Sequence, residues 1–327
     1  MKKIIYGFIT LLAAIGATSC STEIKRGEYA KGSATIYCDD GFKRILDEEI
    51  EVFEYQYPEG SIIPFYVSET SALDSLIDGR TQLAVATREL TSKEIDYIKG
   101  SQRRIVRQNC IAVDAVALIV NKDNPIGQLS MSEIGDILRG ETSKWSQLAV
   151  ADTTAIKIVF DNQGSSTVSY MKDKFLPEGK MISDNPNAFA QDNNQQVFEV
   201  VKNNKHALGI ISVSWLGDNL NATKMPMKEK LENLQNANDT IRTDFTDAVK
   251  VLKVRRDDEL QGFKPYQLYI NSGEYPLFRK VYIISTGSNS TIIHSFYTFV
   301  TGFVGQKIIS QTGIMPYHVN PRVVSLK

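Results

Sequence analysis

This 327-residue chain has only three cysteines and three histidines. No Cys/His spacing among them matches a metal site. His206, His294 and His318 stand singly along the chain. An excess of one charge is also missing: 37 basic residues against 38 acidic ones leave a formal net charge of −1. Nucleic-acid-binding proteins carry a basic excess, so that class is excluded. There is no long like-charge run, internal repeat, low-complexity tract or Walker pattern. Gly164-Ser165 superficially looks like a nucleophile turn, but the Gly-x-Ser-x-Gly spacing is absent. The chain is therefore not expected to be an enzyme; no catalytic residues, metal or cofactor are expected.

What is present is material for a packed core. The chain is 42% hydrophobic and 23% charged, a globular balance, and its length permits two domains. The apolar run Ile4–Ala17 follows Lys2 and Lys3. It is too short for a comfortable membrane span and suits a signal peptide. Ala17-Thr18-Ser19-Cys20 resembles the bacterial lipobox, with Ala17 where Leu is preferred. The resulting expectation is a signal peptide over 1–19, a lipidated Cys20, and a polar tether over 20–31. Such a protein is anchored to a membrane by lipid without spanning it. Cys38 and Cys110 remain. An exported protein meets an oxidising compartment, so a Cys38–Cys110 disulfide and two free thiols both stay open.

Hydrophobic periodicity gives alternating elements: strands at 35–37, 61–67, 83–87 and 111–120, with helices over 42–57, 70–78 and 92–99 between them. This β-α-β order predicts an α/β fold with a largely parallel sheet. After Asn121 the pattern restarts. Ser130-x-x-Glu133 is a capping box, and strands are predicted at 156–160, 207–213, 249–254, 266–270 and 279–284. A long apolar helix is predicted over 290–310, closed by Gly313. A chain that leaves one α/β unit, builds a second and returns makes two lobes with a cleft between them, a usual place for a small ligand.

Several stretches, in this order, resemble the phosphate-binding components of bacterial ABC phosphate importers. "LSMSEIGDILRGETSKW" (129–145) is similar to that family's first second-lobe helix and its Gly-x-x-x-x-Trp turn. "FDNQGSST" (160–167) falls where the family has Arg-x-x-x-Ser-Gly-Thr, and "ALGIISVSWL" (207–216) resembles its Ile-Gly-Tyr strand. "YPLFRKVYII" (275–284), "TGIMP" (312–316) and "VATREL" (85–90) resemble its return crossing, C-terminal turn and Ser-Arg-x-Leu variant. The resemblance implies a two-lobed type II periplasmic binding-protein fold with two inter-lobe crossings and a ligand cleft. Lobe I is expected over 32–118 plus 279–327, and lobe II over 119–278.

It also implies a monomeric, extracytoplasmic lipoprotein in the envelope of a bacterium, facing the periplasm or exterior. Its ligand would be inorganic phosphate or a related oxyanion, and its partner a membrane permease or another envelope protein. The alternative is an interaction or sensory lipoprotein of the same fold that no longer delivers ligand. The matching ligand-binding positions are Asp40, Gly41 and Phe42; Ser68, Glu69, Thr70 and Ser71, in a register open by one residue; Thr87 and Arg88; and Asp161, Ser165, Ser166 and Thr167. Asp161 stands where the family has Arg, Ser166 where it has Gly, and Thr87 where it has a carboxylate. A rearranged site is therefore expected, in which Arg88 supplies positive charge and Asp40 or Asp161 accepts the ligand's proton.

Overall fold

The computed structural model describes residues 29–148, 150–217, 226–235 and 245–318. The leader, Cys20 and most of the tether lie outside the described residues. Strand β1 (Gly32–Asp39) ends buried, at Cys38 and Asp39. One turn, Asp40–Phe42, leads directly into helix α1 (Lys43–Gln56), which buries Ile45, Leu46, Ile50, Val52 and Phe53. Phe53 meets Phe296 and Phe299 edge-on at centroid distances of 5.2 and 5.4 Å. Each such pair adds about 0.5–1.5 kcal/mol beyond its buried area. Strand β2 (Gly60–Val67), helix α2 (Glu69–Ile77), strand β3 (Leu83–Ala86) and helix α3 (Ser92–Gln102) follow. Then comes β4 (Arg107–Val120), buried over its last ten residues.

The next stretch holds β5 (Gln128–Ser130), α4 (Met131–Arg139), β6 (Lys157–Phe160), α5 (Ser166–Phe175) and β7 (Ala188–Ala190). It continues through α6 (Asn194–Asn203), β8 (Ala207–Ser212), α7 (Met227–Gln235), β9 (Lys250–Val251), β10 (Lys253–Arg255) and α8 (Gln267–Asn271). The chain returns with β11 (Phe278–Ser285), α9 (Ile292–Thr301), α10 (Phe303–Gln311) and β12 (Met315–Pro316).

The strands make one sheet in the order β2-β1-β3-β11-β4-β8-β6-β7, with β9 and β12 also on β4; β5 and β10 pair separately. β4 changes partner midway. Up to Ala115 it runs antiparallel to β11, and from Val116 it runs antiparallel to β8, with Val116 opposite Ser212. β1, β2 and β3 are parallel to one another, as are β6, β7 and β8. The C-terminal ends of both sets therefore converge on the middle of β4. Open α/β sheets place ligands outside the carboxyl ends of their strands, so the topology marks the junction of the two sheet halves.

Four expectations are corrected. β11 is antiparallel to both its neighbours, so the sheet is mixed. Residues 266–270 fall on helix α8 and its N-cap Tyr266 rather than on a strand: Tyr266 stacks on Phe245 at 4.5 Å and Tyr269 meets Phe263 at a tilt at 4.7 Å, while Leu268 points to solvent. That is helical spacing. The strand expected at 249–254 is two short strands either side of Leu252. The long helix breaks at Gly302, where a Cβ would sit 2.9 Å from the Thr298 carbonyl oxygen. Among the described residues no helix is long and apolar enough to cross a membrane.

Cys38 lies on β1 and Cys110 on β4, with β3 and β11 between them. At about 4.8 Å per strand, that separation is roughly 14 Å, well beyond the ~7 Å reach of a disulfide. Both thiols are free. Cys38 is buried, which pushes its thiol far above the usual range. Alkylation of a chain spanning 21–327 should add no more than one label in the folded state, at Cys110, and two after denaturation. Intact-protein mass spectrometry reads the count.

Candidate functional site

Each half of the sheet contributes a turn between a strand and a helix. In the first half, Asp39 ends β1 and its Oδ1 accepts a hydrogen bond from Gly41 N at 2.8 Å. A Cβ on residue 41 would lie 2.7 Å from that same oxygen, so any larger residue there would have to displace the Asp39 carboxylate. In the second half, Ser165 caps α5: Val168 N donates to its Oγ at 3.1 Å. The helix thus starts with the backbone N–H groups of its first turn directed at the junction.

The two turns meet. Ser166 N donates to Asp39 Oδ2 at 3.0 Å. Asn194, the first residue of α6, donates from its backbone N and its Nδ2 to Asp40 Oδ2, at 3.2 and 3.3 Å. Thr70 reaches Gly164 O from its N and its Oγ1, at 3.3 and 3.4 Å. Ser214 Oγ and Trp215 Nε1 both donate to Gly41 O, at 2.8 and 3.2 Å.

The cation at this junction is Arg279. Its Nε and Nη2 both donate to Asp114 Oδ2, at 3.1 and 2.9 Å, and Nη2 also donates to Thr167 Oγ1 at 3.3 Å. Its guanidinium lies 5.6 Å over the Phe42 ring. Arg279 is 6% exposed and Asp114 fully buried. Arg279 Nη1 and Ser166 Oγ are buried without a partner. Buried polar groups are almost always satisfied, so these two orphaned donors stand out.

Acidic groups crowd the same place. Asp161 Oδ1 accepts from Ser165 Oγ, and its Oδ2 accepts from Asn194 Nδ2 at 3.0 Å. Burial, with the charge of Asp39 added, pushes the Asp161 carboxyl up to about 7. Burial, with Glu69 added, pushes Asp39 up to about 6, although Arg279 and two backbone N–H groups oppose the shift.

The structure brings together Asp40, Gly41, Phe42, Ser68, Thr70, Asp161, Ser165, Ser166 and Thr167. Ser68 belongs here because a Cβ on Gly164 would lie 3.0 Å from its Oγ. Glu69 and Thr87 sit behind this group: Glu69 Oε1 accepts from Thr87 N and, at 2.7 Å, from Thr87 Oγ1. Arg88 stands apart from this group, in a local ion pair. Its two terminal nitrogens make a bidentate pair with Glu94 at 2.9 Å each, and it is exposed. Glu94 lies six residues away at the start of α3, so the nearer carboxylate captures the guanidinium. An exposed pair of this kind contributes about 1 kcal/mol or less. Arg88→Ala should leave oxyanion affinity within twofold and lower stability by no more than that, as read by calorimetry and urea denaturation.

Asp39, Asp114, Asn194 and Arg279 were not singled out from the sequence, though two of them carry a signal. Arg279 shares strand parity with the buried Val281 and Ile283, and Asp114 is the one charge inside the apolar run 111–120. A charge at an inward strand position needs a partner, and the two are each other's.

Hydrogen-bond donors and carboxylates from both sheet halves thus converge beside one buried guanidinium. The chain matches the family model described as a PBP superfamily domain over residues 26–302 and belongs to that superfamily. Its members bind solutes and do not transform them. The chain is similar to the phosphate-binding protein PstS of Borreliella burgdorferi, 24% identical over 96% of this chain and 99% of that one. It is also similar to PstS of Bacillus subtilis, 20% identical over 94% and 90%. The fold is shared with a Clostridium perfringens protein assigned as a phosphate ABC transporter substrate-binding protein and solved with bound phosphate. There the TM-score is 0.68 at 20% identity, over 88% of this chain and 100% of that one. A Vibrio cholerae ABC-type phosphate transport receptor matches with TM-score 0.60 at 21% identity, over 86% and 99%.

Proposed function

We propose that this chain is the extracytoplasmic solute receptor of an ABC-type importer and that its solute is a small oxyanion, phosphate first. The carrying observation is Arg279: a buried guanidinium at the junction with Nη1 unpartnered, beside the N-terminal turn of α5. An oxyanion there satisfies Nη1 and Ser166 Oγ and gains the helix N-terminus. The names of the relatives from Borreliella burgdorferi and Bacillus subtilis support phosphate as the ligand.

In this reading Gly41, Phe42, Ser166 and Thr167 supply N–H groups, Arg279 replaces Arg88 as the positive charge, and Asp161 accepts the proton of a protonated oxyanion. An ionised carboxylate only accepts hydrogen bonds, which favours hydrogen phosphate over sulfate. Solute bridges lobe I (32–118 plus 279–327) and lobe II (119–278), and the closed form is what the membrane permease recognises. The change of partner along β4 supports a boundary close to residue 118. Cys20 carries the lipid that holds the receptor at the envelope.

Calorimetric titration of residues 21–327 with phosphate, sulfate, molybdate and tungstate tests the reading. Phosphate should give heat and a rise in Tm, because a ligand of the native state stabilises it. No heat and no thermal shift with any of the four would favour an interaction or sensory role instead, a reading motivated by the carboxylates at the junction.

A further inference from the structure

The Asp39 carboxylate does what a bound oxyanion would do. One oxygen accepts from Gly41 N of the first half at 2.8 Å, the other from Ser166 N of the second half at 3.0 Å. The side chain is 1% exposed and takes two of the N–H groups assigned above to the solute. We propose that Asp39 is a built-in occupant of the oxyanion position, which must release the N–H groups of both turns and take up one proton from solvent when solute binds. The inference rests on the oxyanion reading above.

The charges around Asp39 give the reason for the proton. Glu69 acts on it from the start of α2 and Asp161 lies beside it just after β6; Asp40 follows it in the chain, and among the described residues Arg279 on β11, paired with Asp114 of β4, is the one cation set against it. A solute anion added to this group places another negative charge beside an ionised Asp39. Neutralising Asp39 removes both the competitor for the N–H groups and the repulsion. Burial and Glu69 already hold its carboxyl at about 6, so the proton is within reach near neutrality. With ionised Asp39 in place, solute entry is opposed above that value and eased below it.

The test compares the wild-type chain, residues 21–327, with Asp39→Asn in calorimetric titrations with inorganic phosphate. Titrations at pH 7.5 in two buffers of different ionisation enthalpy count the protons taken up. Using the variant as reference cancels the protonation of phosphate itself. The wild type should take up about one proton more per phosphate than the variant. The variant should bind at least tenfold tighter at pH 7.5, with the gap closing by pH 5. Equal proton counts, or an affinity in the folded variant no higher than wild type, would overturn this inference and leave the oxyanion reading standing. Binding by neither protein at either pH would overturn both. Asp39→Ser, which keeps a hydroxyl to cap Gly41 N, replaces Asp39→Asn if circular dichroism shows that variant unfolded.

Discussion

Replacing Arg279 by methionine is expected to abolish oxyanion binding and to lower stability by about 3–5 kcal/mol, the usual cost of removing one partner of a buried ion pair. The two effects have separate causes. Asp114 loses both bonds from Arg279, keeps the Ser212 Oγ at 3.0 Å, and becomes a buried carboxylate without a counter-charge. Binding fails because Nη1 leaves with the side chain, and a lost buried charged hydrogen bond of this kind costs about 2–5 kcal/mol, a factor of at least ~30. The double variant Asp114→Asn/Arg279→Met separates them. It should recover the part of the lost stability that comes from Asp114, since that carboxylate is no longer buried without a counter-charge, and none of the binding. Urea denaturation reads the first effect and phosphate calorimetry the second. Recovery of binding in the double variant would remove Arg279 from the site. Arg279→Lys is the milder case: one ammonium cannot fork to Asp114, Thr167 and a solute together, so affinity should fall at least tenfold.

What the sequence made legible was short-range. The Ser130–Glu133 capping box forms as expected because its partners are three residues apart. The turn at 160–167 stands out because strand, glycine and hydroxyl cap are contiguous. Arg88, a matching position, has a carboxylate partner that is also local. The buried cation at the junction is recognisable only through Asp114, 165 residues away along the chain, and Asp39 acquires its place through Ser166, 127 residues away. Pairing of that kind depends on β4 changing partners at Ala115–Val116, which no local pattern encodes. Strand direction was hidden similarly: β11 is an ordinary alternating strand, and its antiparallel placement follows from the chain's return path. At 266–270 the short run Tyr-Gln-Leu-Tyr-Ile fitted either period, and contacts with Phe245 and Phe263 decided it.

The second large effect expected is a gain in stability as pH falls from about 8 to about 5. Asp39 and Asp161 have carboxyls raised to about 6 and about 7 from an ordinary 3.8. Between about pH 4 and 7 the native chain therefore holds protons that the unfolded chain has released. Stability then rises as pH falls through this window, is fully present below the unfolded value, and is lost as pH rises through the native values. Each pKa unit corresponds to about 1.4 kcal/mol. Since the charge of Asp39 is part of what raises Asp161, the two shifts do not add, and a combined gain on the order of 3 kcal/mol is expected. For a protein of this size that corresponds to a Tm rise of roughly 5 °C. Glu94 acts in the opposite sense but elsewhere: Arg88 holds it down to about 2, so its contribution is lost only in stronger acid. Scanning calorimetry in phosphate-free buffers checks the slope. In Asp161→Asn the rise in Tm between pH 8 and pH 5 should shrink to about half, because only Asp39 is left to titrate. The comparison between pH values within one variant is independent of any cost of turning the Asn194 Nδ2 contact into a donor facing an amide. A wild-type Tm that is flat or falls from pH 8 to pH 5 would mean that the junction carboxylates are stabilised as anions. The same result would remove the charge repulsion that makes solute entry depend on a proton.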